Sequence, residues 1–260
     1  MNLHLIHTND LHNRFPERTI NEIRTQNSLL LDSGDALQGS NLVYHFKEPV
    51  LRKMRKAGYA AMAMGNREFH YLRRCLENRF SESDFPILAA NLVDLREKVK
   101  IQDSFIYCSP DLKDPQNISN PQQSCSGSEV RIGVFGLTVP QYPENSRWEK
   151  ITGWRFFSPI ESAKKAVAKF RDAGVQLVFC LSHSGFHSDC VLAEQVAGID
   201  LILGGHSHTI LKEPHRIGST LILQTGSHGR FVGSWNLFFE IRNGNLQSWK
   251  IEGGLISGFV

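Results

Sequence analysis

Nothing in the 260-residue chain approaches the ~18 consecutive apolar residues that a helical membrane span needs. Charge of one sign is also missing in bulk. The 29 Lys and Arg against 26 Asp and Glu leave a net charge of +3, and no Lys/Arg run could wrap a phosphate backbone, so a nucleic-acid polymer is not an expected partner. Cysteine is sparse. The five cysteines are an odd number with no CxxC spacing, which excludes a disulfide framework and a zinc–thiolate site and points to a reducing compartment. No basic, then apolar leader opens the sequence, so a cytoplasmic location is expected. A charged fraction of 21% beside 41% hydrophobic residues excludes disorder, coiled coil and collagen. Internal repeats and a domain boundary are lacking too, so 1–260 is read as a single domain.

What is present is an alternation of short apolar runs with amphipathic stretches, the signature of α/β architecture. Strands are expected at 3–8, 28–32, 60–64, 85–91, 130–137, 175–181 and 200–203. Helices are expected at 16–25, with proline in the first turn, at 41–57 closed by Gly58, and at 159–172. A short helix precedes the strand at 200–203. The last sixty residues change to strands at 220–224, 231–241 and 245–252, the final pair joined by Asn243-Gly244 as a type I′ turn. Residues 109–128, rich in Pro, Asn, Gln and Ser, read as a surface loop.

Eleven histidines are the unusual entry in the composition. Five segments place Asp, Asn or His just after an apolar run: 8–12, 32–35, 65–68, 182–185 and 204–208. Ligands collect at the carboxyl ends of strands in open α/β sheets. In extended chain, residues i and i+2 project to one side, so Asp10 with His12, and His206 with His208, can share a centre. With Asp35, Asn66 and His183 they form a mixed N/O donor set without thiolate, suited to Mn²⁺, Fe or Zn²⁺. His4, His7, His45, His187, His215 and His228 are read as ordinary structural or surface histidines. The serines near His183 and His206 do not make a Ser-His hydrolase, because no GxSxG elbow is present.

The ordered segments HTNDLHNRF (7–15), LLLDSGDALQGS (29–40), MGNREFH (64–70), ILAANL (87–92), LSHSGFHSD (181–189), DLILGGHSHT (200–209) and LILQTGSHGRFVG (221–233) resemble the calcineurin-like metallophosphoesterases. Within that family they look like the catalytic domain of the 5′-nucleotidase/UDP-sugar hydrolase branch. The resemblance implies a four-layer αββα sandwich, two mixed β-sheets with flanking helices. It also implies two divalent ions (Mn, Zn or Fe), one held by Asp10, His12, Asp35 and His208. The other would be held by Asp35, Asn66, His183 and His206, with Asp35 bridging. A metal-bridging hydroxide would then attack a small phosphate ester directly, a nucleotide phosphomonoester or a phosphodiester. Asp32, Glu68, Asp189 and Asp200 match the pattern as supporting residues.

Three departures stand out. Arg67 and His70 replace the family's catalytic His/Asp dyad; Arg67 can stabilise phosphoryl charge but cannot usefully donate a proton. If a helix opened at 68, Arg67 and His70 would share a face, and His70 could supply that proton. No counterpart of the branch's C-terminal nucleotide-clamping domain is expected here, so two alternatives stand: the substrate is another phosphomonoester or phosphodiester, or a homo-oligomer or partner subunit completes the pocket. A leader like that of exported members is also missing. Arg14 and Arg230, beside ligand motifs, are candidates for holding phosphate. The competing expectation is a weakly active or inactive phosphate-binding or protein-interaction module of the same fold.

Overall fold

The computed structural model describes residues 2–99, 101–109, 130–242 and 245–259. The first six-stranded sheet runs β14 (Asn245–Ser257), β13 (Phe231–Arg242), β1 (Asn2–Thr8), β2 (Ser28–Asp32), β3 (Ala61–Ala63), β4 (Ile87–Leu88). Strands β1 to β4 are parallel, and β13 pairs antiparallel with β1 and β14. The second runs β11 (His215–Ile217), β12 (Thr220–Leu223), β10 (Leu201–Gly204), β9 (Leu177–His183), β7 (Val130–Thr138), β6 (Ser104–Ser109). Here β7, β9, β10 and β12 are parallel, with antiparallel strands at both edges. A small ribbon pairs β5 (Leu92–Asp94) with β8 (Trp154–Phe156).

Alternation along the strands makes the layers. Leu3 and Leu5 of β1, Leu29 and Leu31 of β2, Leu177, Phe179 and Leu181 of β9, and Leu201 and Leu203 of β10 pack between the sheets. The intervening Ile6, Leu30 and Met62 turn outward. They meet α1 (Glu17–Ile23), α2 (Val50–Ala57) and α3 (Arg73–Phe80) through Ile20, Met54 and Leu76. On the far side, Val178, Cys180 and Ile202 meet α5 (Pro159–Asp172) and α6 (Phe186–Gln195). Both sheets are therefore covered on two faces, as near-continuous apolar strands require. The remaining helix, α4 (Arg147–Thr152), leads into β8. The four-layer sandwich of two mixed sheets is the architecture expected from the sequence. Among the described residues no helix is long and apolar enough to cross a membrane.

Several local expectations are corrected. The helix expected over 41–57 forms only from Val50, with Pro49 at its N-cap, because a proline inside the helix would remove a donor and clash with the preceding turn. No helix opens at 68; α3 begins at Arg73. Strand 85–91 shrinks to Ile87–Leu88, while β5, β6, β8, β11 and α4 were not anticipated. Cys108 in β6 is disulfide-bonded, against the expectation of reduced thiols throughout; Cys75, Cys180 and Cys190 are free. The surface loop read at 109–128 lies outside the described residues except for Ser109. The Asn243-Gly244 turn lies outside them as well, although β13 and β14 pair up to Arg242 and Asn245.

Candidate metal centre and its cleft

The loops leaving β1, β2, β3, β9 and β10 meet where the carboxyl edges of the two sheets come together. Bonds between the sheets fix this meeting. Ser33 Oγ donates to the Leu203 carbonyl at 2.7 Å, and the His206 N–H donates to Asp10 Oδ2 at 2.8 Å. Five of the seven expected ligands, Asp10, His12, Asp35, His206 and His208, have φ between 45° and 72°. Non-glycine residues rarely take this left-handed region, and it costs of order 1–3 kcal/mol each unless the surroundings impose it. Here neighbouring backbone does impose it: Asp10 N donates to Gly34 O at 2.9 Å and His12 N to Asp35 O at 3.0 Å. Gly34, at φ +90°, is needed for close approach. A Cβ there would lie 2.8 Å from the Gly65 nitrogen and 2.9 Å from His183 Nδ1.

All seven residues are brought together. His208 Nε2 lies 3.2 Å and His12 Nε2 3.9 Å from Asp10 Oδ1, and the two imidazole Nε2 atoms are 3.2 Å apart. On the other half, His183 Nε2 is 3.3 Å from Asp35 Oδ1, and Asn66 Oδ1 lies 3.3 Å from His183 Nε2 and 3.1 Å from His206 Nδ1. Donor atoms of Asp10, His12 and His208, and of Asp10, Asp35 and His183, each fall within 4.8 Å of one another. Asp10 thus stands in both triplets, whereas the resemblance gives the bridging place to Asp35.

The donor chemistry fits divalent cations. Asp10 Oδ1 is buried, and its nearest partners are the imidazole Nε2 atoms of His208 and His12, at 3.2 and 3.9 Å, so a positive charge is favoured at this oxygen. His183 Nδ1 must donate to the Ser33 carbonyl, at 2.7 Å, so Nε2, which faces Asp35 and Asn66, is the nitrogen left for a cation once its proton is displaced. This is the second-partner arrangement that orients a metal-binding imidazole. Burial lowers the pKa of His12 and of His206, keeping both imidazoles neutral, with His183 adding to the lowering at His206. Burial alone would lower His183 too, but the Asp35 carboxylate outweighs it and lifts His183 to about 9. A cation binding there displaces that proton. His208 is raised by its hydrogen bond to Asp10.

Glu68 supports this centre. Its Oε2 accepts from Asp35 N at 2.9 Å and Gly65 N at 2.8 Å, and its Oε1 accepts from Leu37 N at 3.0 Å. Burial, with Asp35 nearby, raises its pKa to about 7. Asp189 accepts a 2.5 Å hydrogen bond from Ser182, just before His183. Asp32 accepts from Thr8 and from the Gly34 N–H, and Asp200 ties down the Val178 N–H away from the centre.

Arg67 and His70 part company. Arg67 lines the cleft, with Nε 4.0 Å from Asp35 Oδ2. His70 does not line it. The His70 ring is buried, Nδ1 accepts from the Leu72 N–H at 3.0 Å, and Nε2 has no partner. Their expected shared helical face is absent for a physical reason. The buried Arg79 guanidinium takes the carbonyls of Arg67, Glu68 and Phe69 at 2.9, 3.0 and 3.2 Å, the acceptors that a helix through this segment would use. Arg79 was not anticipated, since an arginine on an amphipathic helix reads as solvent-facing. Arg14 lines the cleft; Arg230 does not. His228, read as ordinary from the sequence, packs its ring 4.8 Å from His12 and donates its N–H to the Asp10 carbonyl at 2.7 Å. Its place between Gly226 and Gly229, within the family-like segment 221–233, was the available signal.

The calcineurin-like phosphoesterase family model matches residues 3–209. A snake venom 5′-nucleotidase from Gloydius brevicauda is 28% identical over 95% of this chain and 47% of its own. A 2′,3′-cyclic-nucleotide 2′-phosphodiesterase/3′-nucleotidase from Yersinia enterocolitica is 31% identical over 71% of this chain and 30% of its own. Among solved structures, a 5′-nucleotidase precursor from Thermus thermophilus superposes with a TM-score of 0.73 at 25% identity, over 99% of this chain and 55% of that one. The chain spans about half the length of these three relatives or less.

Proposed function

The chain belongs to the calcineurin-like phosphoesterases, and from that premise we propose that it is a metal-dependent hydrolase of a small phosphate ester, a nucleotide being the leading candidate. The observation that carries this reading is the convergence of donors from both sheets, with His12 and His208 on one side of the buried Asp10 carboxylate and Asp35 and His183 on the other, and Asn66 bridging His183 and His206. We assign Asp10, His12, Asp35 and His208 to one cation and Asp35, Asn66, His183 and His206 to a second. Mn²⁺, Zn²⁺ and Fe all accept such donors. Two divalent ions there would supply Lewis acidity toward the phosphoryl oxygens and a water of lowered pKa.

The chain's own residues do the rest. Asp35 is fixed from three sides, its side chain by the Arg67 N–H at 2.7 Å, its own N–H by Glu68, and its carbonyl by the His12 N–H. Arg67 presents a permanent cation at the cleft, placed to meet charge developing on the phosphoryl group. It holds its proton, and His70 is enclosed, so neither readily protonates a departing alkoxide. Leaving groups that need no proton should therefore react best. The names of the relatives support both monoester and diester substrates.

The test is turnover of p-nitrophenyl phosphate, its bis-ester and AMP by protein loaded with Mn²⁺, beside Asp35→Asn. Metal-dependent hydrolysis that the substitution removes is the expected result, and the mono-to-diester ratio names the class. No turnover with two cations bound would contradict the enzyme and favour a binding module.

A further inference from the structure

The cleft is much larger than a phosphate group. Its volume is about 680 Å³, within the ~300–1,000 Å³ of sites that enclose whole small molecules. The space beyond the metal donors is walled by the segment 38–45, which contributes Gln38, Ser40, Val43 and His45 to the lining.

That wall is firmly built. Glu48 Oε1 accepts the N–H groups of Gln38 and Gly39 at 2.6 and 2.8 Å. Ser40 N donates to Val43 O at 2.9 Å, and Arg79 Nη2 reaches the carbonyls of Ser40 and Val43 at 3.3 and 3.2 Å. The Tyr44 ring packs over the Arg79 guanidinium at 5.2 Å. The backbone is thus tied inward, while the exposed Val43 and His45, two residues apart, face the cleft.

Val43 is the one apolar side chain among the lining residues; the others offer amide, hydroxyl, carboxylate, imidazole or guanidinium groups. An alkyl or lipid leaving group would find a single aliphatic side chain. A flat ring that stacks on an imidazole, carried on a hydroxyl-bearing sugar, meets suitable partners in His45 and Val43 for its face, and in Gln38 and Ser40 for its polar edges. We infer that the 38–45 wall is a leaving-group subsite for a nucleoside, formed within this chain. The inference rests on the phosphoesterase reading above and adds to it the part of the ester that is recognised.

The experiment measures inhibition of p-nitrophenyl phosphate hydrolysis by adenosine and by inorganic phosphate, in the Mn²⁺-loaded protein and in His45→Ala and Val43→Ser. Stacking on one base predicts that the ratio of the adenosine to the phosphate inhibition constant rises roughly tenfold in His45→Ala, with a smaller rise in Val43→Ser. Absence of adenosine inhibition, or a ratio unchanged in both variants, would overturn the subsite. If no ester is hydrolysed, the functional reading fails by itself. Calorimetric binding of adenosine to the same three proteins then decides the subsite separately: binding weakened by His45→Ala supports it, and no binding refutes it.

Discussion

The two walls of the cleft are held by different means. The wall built from the loops after β1, β2, β9 and β10 carries its donors largely on residues with left-handed backbone, pinned by neighbouring loops within the same motif set. The opposite wall, residues 38–48 and 66–72, is irregular and depends on Arg79, whose side chain reaches five carbonyls from another element. The first wall is local chemistry: short polar residues, glycines and strand ends. The second is tertiary, and one buried cation organises both of its segments. A ligand set can thus persist while a residue facing it changes, which is the pattern that Arg67 shows.

Breaking the first wall should have the largest effect. Asp35→Asn removes a carboxylate from the centre, and turnover of p-nitrophenyl phosphate should fall by at least roughly a thousandfold, the several kcal/mol a cation supplies. Retained turnover would show that Asp35 holds no catalytic cation. Breaking the second wall should act on folding. Arg79→Met takes the guanidinium partner from the carbonyls of Arg67, Glu68, Phe69 and Ser40, near Glu48 and Glu68, and denaturant unfolding should show a loss of about 3–5 kcal/mol. A loss under about 1 kcal/mol would mean that the wall stands without the arginine.

A smaller effect tests the region between the sheets, away from both walls. His7 is fully buried with neither ring nitrogen paired, beside Gly233 and Trp235, whose indole nitrogen is also unpaired. Burial drives its pKa down to about 3. The unfolded chain therefore binds a proton near pH 6.5 that the folded chain refuses, and this contribution to stability is lost as pH falls from about 6.5 toward 3. Its slope is at most ~1.4 kcal/mol per pH unit. Unfolding curves between pH 7 and 4 should show the wild type losing more stability than His7→Leu; parallel losses would contradict this. The smallest effect is expected of His70→Ala. Because His70 is absent from the cleft, the rate on an alkyl phosphate and its pH profile should barely change. A lost pH limb would restore His70 as the proton donor.

The sequence carried the first wall almost whole. Each donor sits at the end of an apolar run, and those runs marked the strands that aim them. The pairing of the strands into two mixed sheets was legible only through the resemblance to the family, and the edge strands β6 and β11 and the helix α4 were missed. The misses near the cleft have two causes. Pro49, visible in the sequence, cuts the helix expected over 41–57, whereas the helix expected from 68 gave way to contacts made by Arg79, which nothing within that segment announces. The role of Glu68 as acceptor of three N–H groups was likewise invisible, since its partners lie in two separate loops. His45 and His228 read as ordinary because a histidine's meaning depends on what folds against it. The short strands β5, β8 and β11 have three paired residues each, too few to show a period.

The two-cation centre meets its sharpest test in calorimetric titration of metal-stripped protein with Mn²⁺, for the wild type, His208→Ala and Asn66→Ala. Two equivalents per chain are predicted, with one retained in each variant, because the two substitutions fall on different cations. A single equivalent in the wild type, or two equivalents unaffected by either substitution, would contradict a centre built from these seven residues.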